Sequence, residues 1–260
     1  MPPIQRKVHI NVDLGEGYGN FKCGPDDELI PLIDHANIAC GFHAGDPLIM
    51  AETVKTCKQH GIAIGAHPGL PDIQGFGRRE MKLSPEELTA MVRYQVGALK
   101  GFLDAEDVPL HHVKPHGILY GMMYQALRFA ELSTKPYRKV PLTPIGTPVL
   151  GLAGTYHEEV AKELGLPFVA ELYGDVKYNK DKTLVIDRKK KAWTPEETKA
   201  HIASQVNHSS VTAVTGETVE LPIGDNEVSL CCHSDSPGAV QIVTAARQMV
   251  DEFNKKHGYA

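Results

Sequence analysis

At 260 residues, 42% hydrophobic and 23% charged, the chain has the size and composition of one large α/β domain, and a single domain over residues 1–260 is expected. A formal net charge of -5 offers no basic footprint for nucleic acid. No apolar run approaches the ~20 residues of a membrane span, the first residues lack the apolar core of a signal peptide, and the five cysteines form no C-x-x-C pair; a cytoplasmic protein with no nucleic-acid or membrane partner is expected.

Along the chain, strand-like and helix-like segments alternate. The first strand spans Val8 to Val12, with Val8, Ile10 and Val12 apolar at alternate positions. A short strand surrounds Asn37-Ile38-Ala39, and Asp46-Pro47 then starts a helix as N-cap and first-turn proline, with Gly61 as its stop. Strand Ile62 to Ala66 precedes Ser84-Pro85-Glu86-Glu87, a capping box whose Glu87 sits three residues after the capping serine. Strands at Leu110–Val113, Val149–Leu152, Pro167–Ala170 and Val228–Cys232 follow. Helices start after Thr155, at Thr194-Pro195-Glu196-Glu197 and at Ser236-Pro237. Strand followed by helix, about seven times, predicts a parallel sheet with right-handed crossovers.

Polar side chains cluster where strands end: Asp13 and Glu16, His43, His67, Lys114 and His116, Asp175, His233 and Asp235. A closed barrel gathers all its strand ends on one rim, so a (β/α) barrel of about seven parallel strands is favoured over an open sheet. In "ACGFHAGDP", His43 stands between glycines, before a helix start that would favour an anion. "GAHPGLPDIQGFGRRE" places His67 before a glycine-rich loop, expected to be a mobile lid in which Arg78 and Arg79 offer forks for a carboxylate or phosphate. "HHVKPHGILYG" sets Lys114 and His116 on either side of Pro115, able to hold a carboxylate or move a proton. "CCHSDSPGAV" repeats the logic of His43, giving a second anion-friendly helix start. The charge run Asp187-Arg188-Lys189-Lys190-Lys191 is expected to be a solvated loop. No P-loop, H-E-x-x-H or G-x-S-x-G is present, which excludes an ATP motif in this chain and makes water a better nucleophile than serine.

Taken together, "VDLGEGYG", "ANIACGFHAGDP", "GAHPGLPDIQGFGRR", "VKPHGILY", "ELYGDVKY", "TLVIDR" and "HSDSPGAV" resemble, in order, the blocks of the LamB/YcsF lactam-utilisation family, whose bacterial members form one of the subunits of 5-oxoprolinase. The resemblance implies a seven-stranded barrel like those of glycoside hydrolases and polysaccharide deacetylases. It also implies ATP-dependent opening of 5-oxoproline, with ATP and magnesium used by a complex containing two partner subunits. On this reading Asp13, Glu16, His67, Lys114 and His116 are catalytic candidates. His43, Arg78, Arg79, Asp175, Tyr178, His233 and Asp235 are substrate-binding candidates. The family's usual arginine after the aspartate of "YGDVKY" is replaced by Val176, which leaves a related lactam such as 2-pyrrolidinone as an alternative. Two other readings stay open: a stand-alone hydrolase or deacetylase with a divalent metal on Asp13, His43 and His67, and a non-catalytic subunit that delivers lactam to a partner enzyme.

Overall fold

Val8, Ile10, Val12 and Leu14 are buried, and so are Asn11 and Asp13 between them. A strand covered on both faces is what a parallel barrel wrapped in helices requires. The computed structural model, which describes residues 3–125, 146–187 and 189–259, closes this strand, β1 (Val8–Leu14), into a barrel. Its neighbours are β2 (His35–Ala39), β3 (Ala63–His67), β4 (His112–Val113), β5 (Val149–Gly151) and β6 (Phe168–Tyr173). After a separate antiparallel pair, β7 (Ser210–Thr212) and β8 (Thr218–Glu220), β9 (Glu227–His233) completes the ring between β6 and β1. All seven barrel pairings are parallel. The seven expected strands are these seven, and the expected (β/α) barrel is the fold.

Period-two alternation gives each strand two faces. One is apolar and joins the core with the surrounding helices, as Ile10, Ile38, Ile64, Val113 and Leu230 do. The other points into the barrel and is polar. Asn11 donates to Ser229 Oγ at 2.8 Å, Asn37 donates to Asn11 Oδ1 at 2.7 Å, and His112 Nε2 lies 2.7 Å from Asn37 Oδ1. These bonds join β1 with β9, β2 and, through Asn37, β4, closing a polar layer under the strand ends.

Several helix starts follow the sequence signals. The first turn of α2 (Pro47–Gln59, after the short α1, Asp26–Leu29) is capped by Asp46, and both capping boxes form, Ser84 with Glu87 on α3 (Pro85–Ala105) and Thr194 with Glu197 before Pro195. α4 (Gly117–Gln125), not marked by any cap signal, starts directly after His116, and Thr155 caps α5 (Tyr156–Glu163). α6 (Pro195–His208) and α7 (Ala239–Lys256) complete the set. Contrary to the sequence expectation, Ser236 does not cap α7; Gly238 at φ +78° holds that position, and the Ser236 hydroxyl is turned to Asp175. No helix among the described residues is long and apolar enough to cross a membrane.

Buried histidines give the fold an acid-sensitive component. Burial is the main cause that lowers His35 and His157 from 6.5 to about 3. The unfolded chain therefore binds more protons than the folded one from about pH 6.5 downward, and stability falls as pH falls through that window. At pH 5 the pair is expected to cost roughly 4 kcal/mol relative to neutral pH. Urea midpoints measured between pH 5 and 7.5 check this. His157→Gln should flatten the dependence, and an unchanged slope would remove His157 from the account.

Candidate functional site

The carboxyl ends of the strands open into a cavity of about 280 Å³, lined by Asp13, His67, Arg78, Lys114, His116, Tyr173, Asp175, Lys190 and His233 among others. Its size suits a small metabolite. At its floor Asp13, two percent exposed, accepts from Lys114 Nζ at 2.6 Å and from Asn37 Nδ2 at 2.8 Å. Burial alone would raise the Asp13 pKa, but His67 and Lys114 hold its carboxyl well below the usual range. Burial likewise opposes the Lys114 charge, yet Asp13, Cys231 and Glu171 leave it well above an ordinary lysine. Both groups keep their charges because each has the other.

On one side of Asp13 stands His233. Its Nδ1 is 2.8 Å from Asp175 Oδ1 and its Nε2 is 3.6 Å from Asp13 Oδ2. Asp175 is buried and, with Lys190, His233 and Ser236 around it, is held well below its ordinary pKa against the effect of burial. An ionised Asp175 accepts the Nδ1 proton and leaves Nε2 facing the cavity, the tautomer a general base needs.

On the other side lies a cluster of three histidines and a glutamate. His67 Nδ1 bonds the Lys114 carbonyl at 2.6 Å, and His116 Nε2 bonds the Phe76 carbonyl at 2.8 Å. The inner nitrogens, His67 Nε2 and His116 Nδ1, are 2.9 Å apart. His43 lies flat on His116, centroids 3.7 Å apart and planes within 3°, with its Nε2 3.2 Å from Glu16 Oε1. Burial, followed by Asp13 and Asp235, raises the Glu16 carboxyl well above its ordinary value. The glycine at 77, with φ +61°, makes the stack fit, since a Cβ there would lie 2.8 Å from His43 Cβ and 2.9 Å from His116 Cδ2.

The catalytic candidates Asp13, Glu16, His67, Lys114 and His116 thus converge, and Arg78, Asp175, His233 and Asp235 join them: Arg78 Nη1 bonds Asp235 Oδ2 at 2.7 Å. Four substrate-binding candidates do not line the cavity, and Asp235 is one of them, meeting Arg78 and Lys190, which do. Arg79 is spent on Asp72 within its own loop. Tyr178 is fully buried with its hydroxyl on Gln205 Oε1 at 3.1 Å, a core residue. His43 sits behind His116 rather than on the cavity wall. The expected metal triad also rearranges: Asp13 meets His67 at 3.2 Å, but His43 turns to Glu16. Glu16, His43, His67 and His116 instead offer ligand atoms within 4.8 Å of one another, as do Asp13, Cys231 and His233.

Three local expectations are also corrected. The loop after β3 is pinned rather than a free lid: Arg79 clamps Asp72, the Phe76 carbonyl holds His116, and the Gly77 carbonyl accepts from Ile118 at 3.0 Å. The start of α2 offers nothing to an external anion, because Asp46 Oδ1 already accepts from Leu48 and Ile49. The charge run is not simply solvated. Asp187, Lys190 and Lys191 line the cavity, and Lys190 lies 3.5 Å from both Asp175 and Asp235; Arg188 lies outside the described residues.

Two further site residues lie in the quoted blocks but are not among the candidates. Glu171 is buried inside the barrel, 3.9 Å from Lys114 and accepting from Tyr173 at 3.0 Å, and Asn37 supports Asp13. Their signal was the second phase of the strands: Asn11/Asp13, His112/Lys114, Glu171/Tyr173 and Ser229/Cys231/His233 alternate with apolar residues.

A cavity with a charged floor at the carboxyl ends of a closed parallel barrel is where (β/α) barrels hold their ligands. The chain belongs to the LamB/YcsF family, whose model matches residues 8–258. It is 60% identical to "Lactam utilization protein lamB" of Emericella nidulans over the whole of both chains. It is 42% identical to a 5-oxoprolinase subunit of Thermus thermophilus, over 95% of this chain and 96% of that one. The crystal structure of a lactam utilization protein from Thermus thermophilus superposes with a TM-score of 0.84 at 40% identity, covering 95% of this chain and 96% of that one.

Asn37 ties the polar layer to the site. Asn37→Ala is expected to strand His112 Nε2 and Asn11 Oδ1 and to lower stability by roughly 2–4 kcal/mol. A urea titration with an unchanged m value would register that loss, and a shift under about 0.5 kcal/mol would contradict it.

Proposed function

We propose that the protein is the substrate-binding, ring-opening subunit of an ATP-dependent lactam hydrolase acting on 5-oxoproline. The observation that carries this reading is Asp13 at the cavity floor, with the Lys114 ammonium on one side and the Asp175-oriented His233 on the other. The family membership and the relatives' names point the same way.

A lactam carbonyl is a weak electrophile, and transfer of a phosphoryl group from ATP to the amide oxygen makes the ring carbon attackable. This chain has no ATP motif, so that step needs the two partner subunits, with magnesium. His233 Nε2 takes a proton from water as its oxygen bonds the ring carbon, and Asp13 steadies the imidazolium that forms. The same proton passes to the ring nitrogen as the carbon–nitrogen bond breaks, leaving the phosphoryl group on the freed carboxyl as an acyl phosphate that a second water hydrolyses to glutamate and inorganic phosphate. Lys114 stabilises negative charge on the carbonyl side. Lys177, Lys190 and Lys191 at the mouth favour a lactam bearing a carboxylate over 2-pyrrolidinone, which has none.

Glutamate release from 5-oxoproline, with ATP and magnesium, is expected only when the chain is mixed with both partner subunits. Asp13→Asn should reduce turnover roughly 10²–10⁴-fold with the fold intact. Turnover within a few-fold of wild type would remove Asp13 from the mechanism and favour a delivery role. Lys191→Met should raise KM for 5-oxoproline and leave that for 2-pyrrolidinone unchanged; equal effects on both would count against carboxylate recognition by Lys191.

A further inference from the structure

The proposed ring opening uses Asp13, Lys114 and His233, and leaves the buried cluster beside them without a task. Hydrogen-bond accounting in that cluster does not close. A carbonyl oxygen can only accept, so the bonds from His67 Nδ1 to the Lys114 carbonyl and from His116 Nε2 to the Phe76 carbonyl place a proton on each outer nitrogen. The inner nitrogens of the two neutral rings then present lone pairs to each other at 2.9 Å. The Glu16 Oε1 acceptor lies 3.5 Å from His116 Nδ1, and the Asp13 Oδ2 acceptor 3.2 Å from His67 Nε2. Such a set of facing acceptors needs one cation between them, either a proton or a metal ion.

We infer that Glu16 Oε1, His67 Nε2 and His116 Nδ1 form a binding site for one zinc-class divalent ion. The rings of His67 and His116 stand at 89°, so their in-plane lone pairs can converge on one point. Each donates its outer N–H to a backbone carbonyl, the support that metal-ligating histidines have. Two imidazoles and a carboxylate suit zinc, cobalt or nickel and not magnesium or calcium. Both histidines also line the cavity, which leaves a coordination position open to it.

His43 is not a ligand. Stacked parallel to His116 at 3.7 Å, its ring plane cannot contain an ion that lies in the plane of His116. It is a positioning residue that holds Glu16 through its Nε2. The neighbouring group of Asp13, Cys231 and His233 is excluded for a different reason. The Lys114 ammonium, 2.6 Å from Asp13 and 3.0 Å from Cys231 Sγ, already places a cation there. Arg78, the other cation close by, is turned to Asp235.

The site is independent of the lactam reading, because its test counts bound metal rather than opened ring. Untagged full-length protein, stripped with chelator and dialysed, is titrated with Zn²⁺ and with Co²⁺ by calorimetry and visible absorption. One equivalent of either ion should bind, with cobalt d–d bands and no thiolate charge-transfer band, and Mg²⁺ should not compete. Glu16→Gln and His116→Gln should each weaken binding at least 100-fold, and His43→Gln roughly 10–100-fold with the cobalt bands kept. Circular dichroism establishes that each variant is folded; the cobalt spectrum of the wild-type chain requires no variant. Absence of stoichiometric binding by wild type would overturn the site and make the shared cation a proton. A thiolate band, or binding undiminished in folded Glu16→Gln and His116→Gln, would overturn it in favour of the Cys231 group or an unrelated locus.

Discussion

The Lys114–Asp13 ion pair is the contact on which the rest of the site depends. Neither charge would survive alone at that depth: burial pushes the lysine toward its neutral form and the aspartate toward its acid. Together, at 2.6 Å, they stay ionised and tie the end of β1 to the end of β4 across the barrel. The position of β4 in turn sets the Lys114 carbonyl that orients His67, and it delivers His116 to the first turn of α4. Replacing such a pair by apolar residues often stabilises a protein. Its presence here is best understood through the fixed charges it offers to a ligand in the cavity.

A charged pair of this kind needs a polar floor. Ser229, Asn11, Asn37 and His112 provide one, each partnered by the next. An apolar layer would fill the barrel as well, but would leave Asp13 without its Asn37 donor. The outer face of the same strands meets the opposite demand and is almost wholly aliphatic. The division between the two faces therefore follows the pleat, residue by residue.

That division also explains what could be seen from sequence. The apolar phase marked the strands, the Ser84 and Thr194 boxes marked helix starts, and the polar residues after each strand marked the rim. These are local signals, carried within a few residues of the feature. Roles that depend on a distant partner were not visible. Arg78 and Arg79 are adjacent in sequence, yet one reaches Asp235 and the other closes on Asp72. Tyr178 follows Asp175 by three residues but turns into the core toward Gln205. Lys190 looked like part of a solvated run because nothing local shows that Asp175 and Asp235 lie beside it. Glu171 and Asn37 carry the polar phase of their strands, but which residues they meet inside the barrel becomes recognisable only once it is closed.

The wall that carries Lys190 and Trp193 is built separately from the barrel. It runs from the end of β6 to the start of α6, and Tyr178 anchors it through bridges to Leu184 and Ala213 and the bond to Gln205. With its root riveted in the core, the outer part of this strap can exchange residues without disturbing a barrel strand. Variation in that strap could retune which ring and which substituents the cavity accepts, while the charges at its floor stay as they are. The fold thus separates selectivity from chemistry along the chain, and a lineage can diversify the first while inheriting the second.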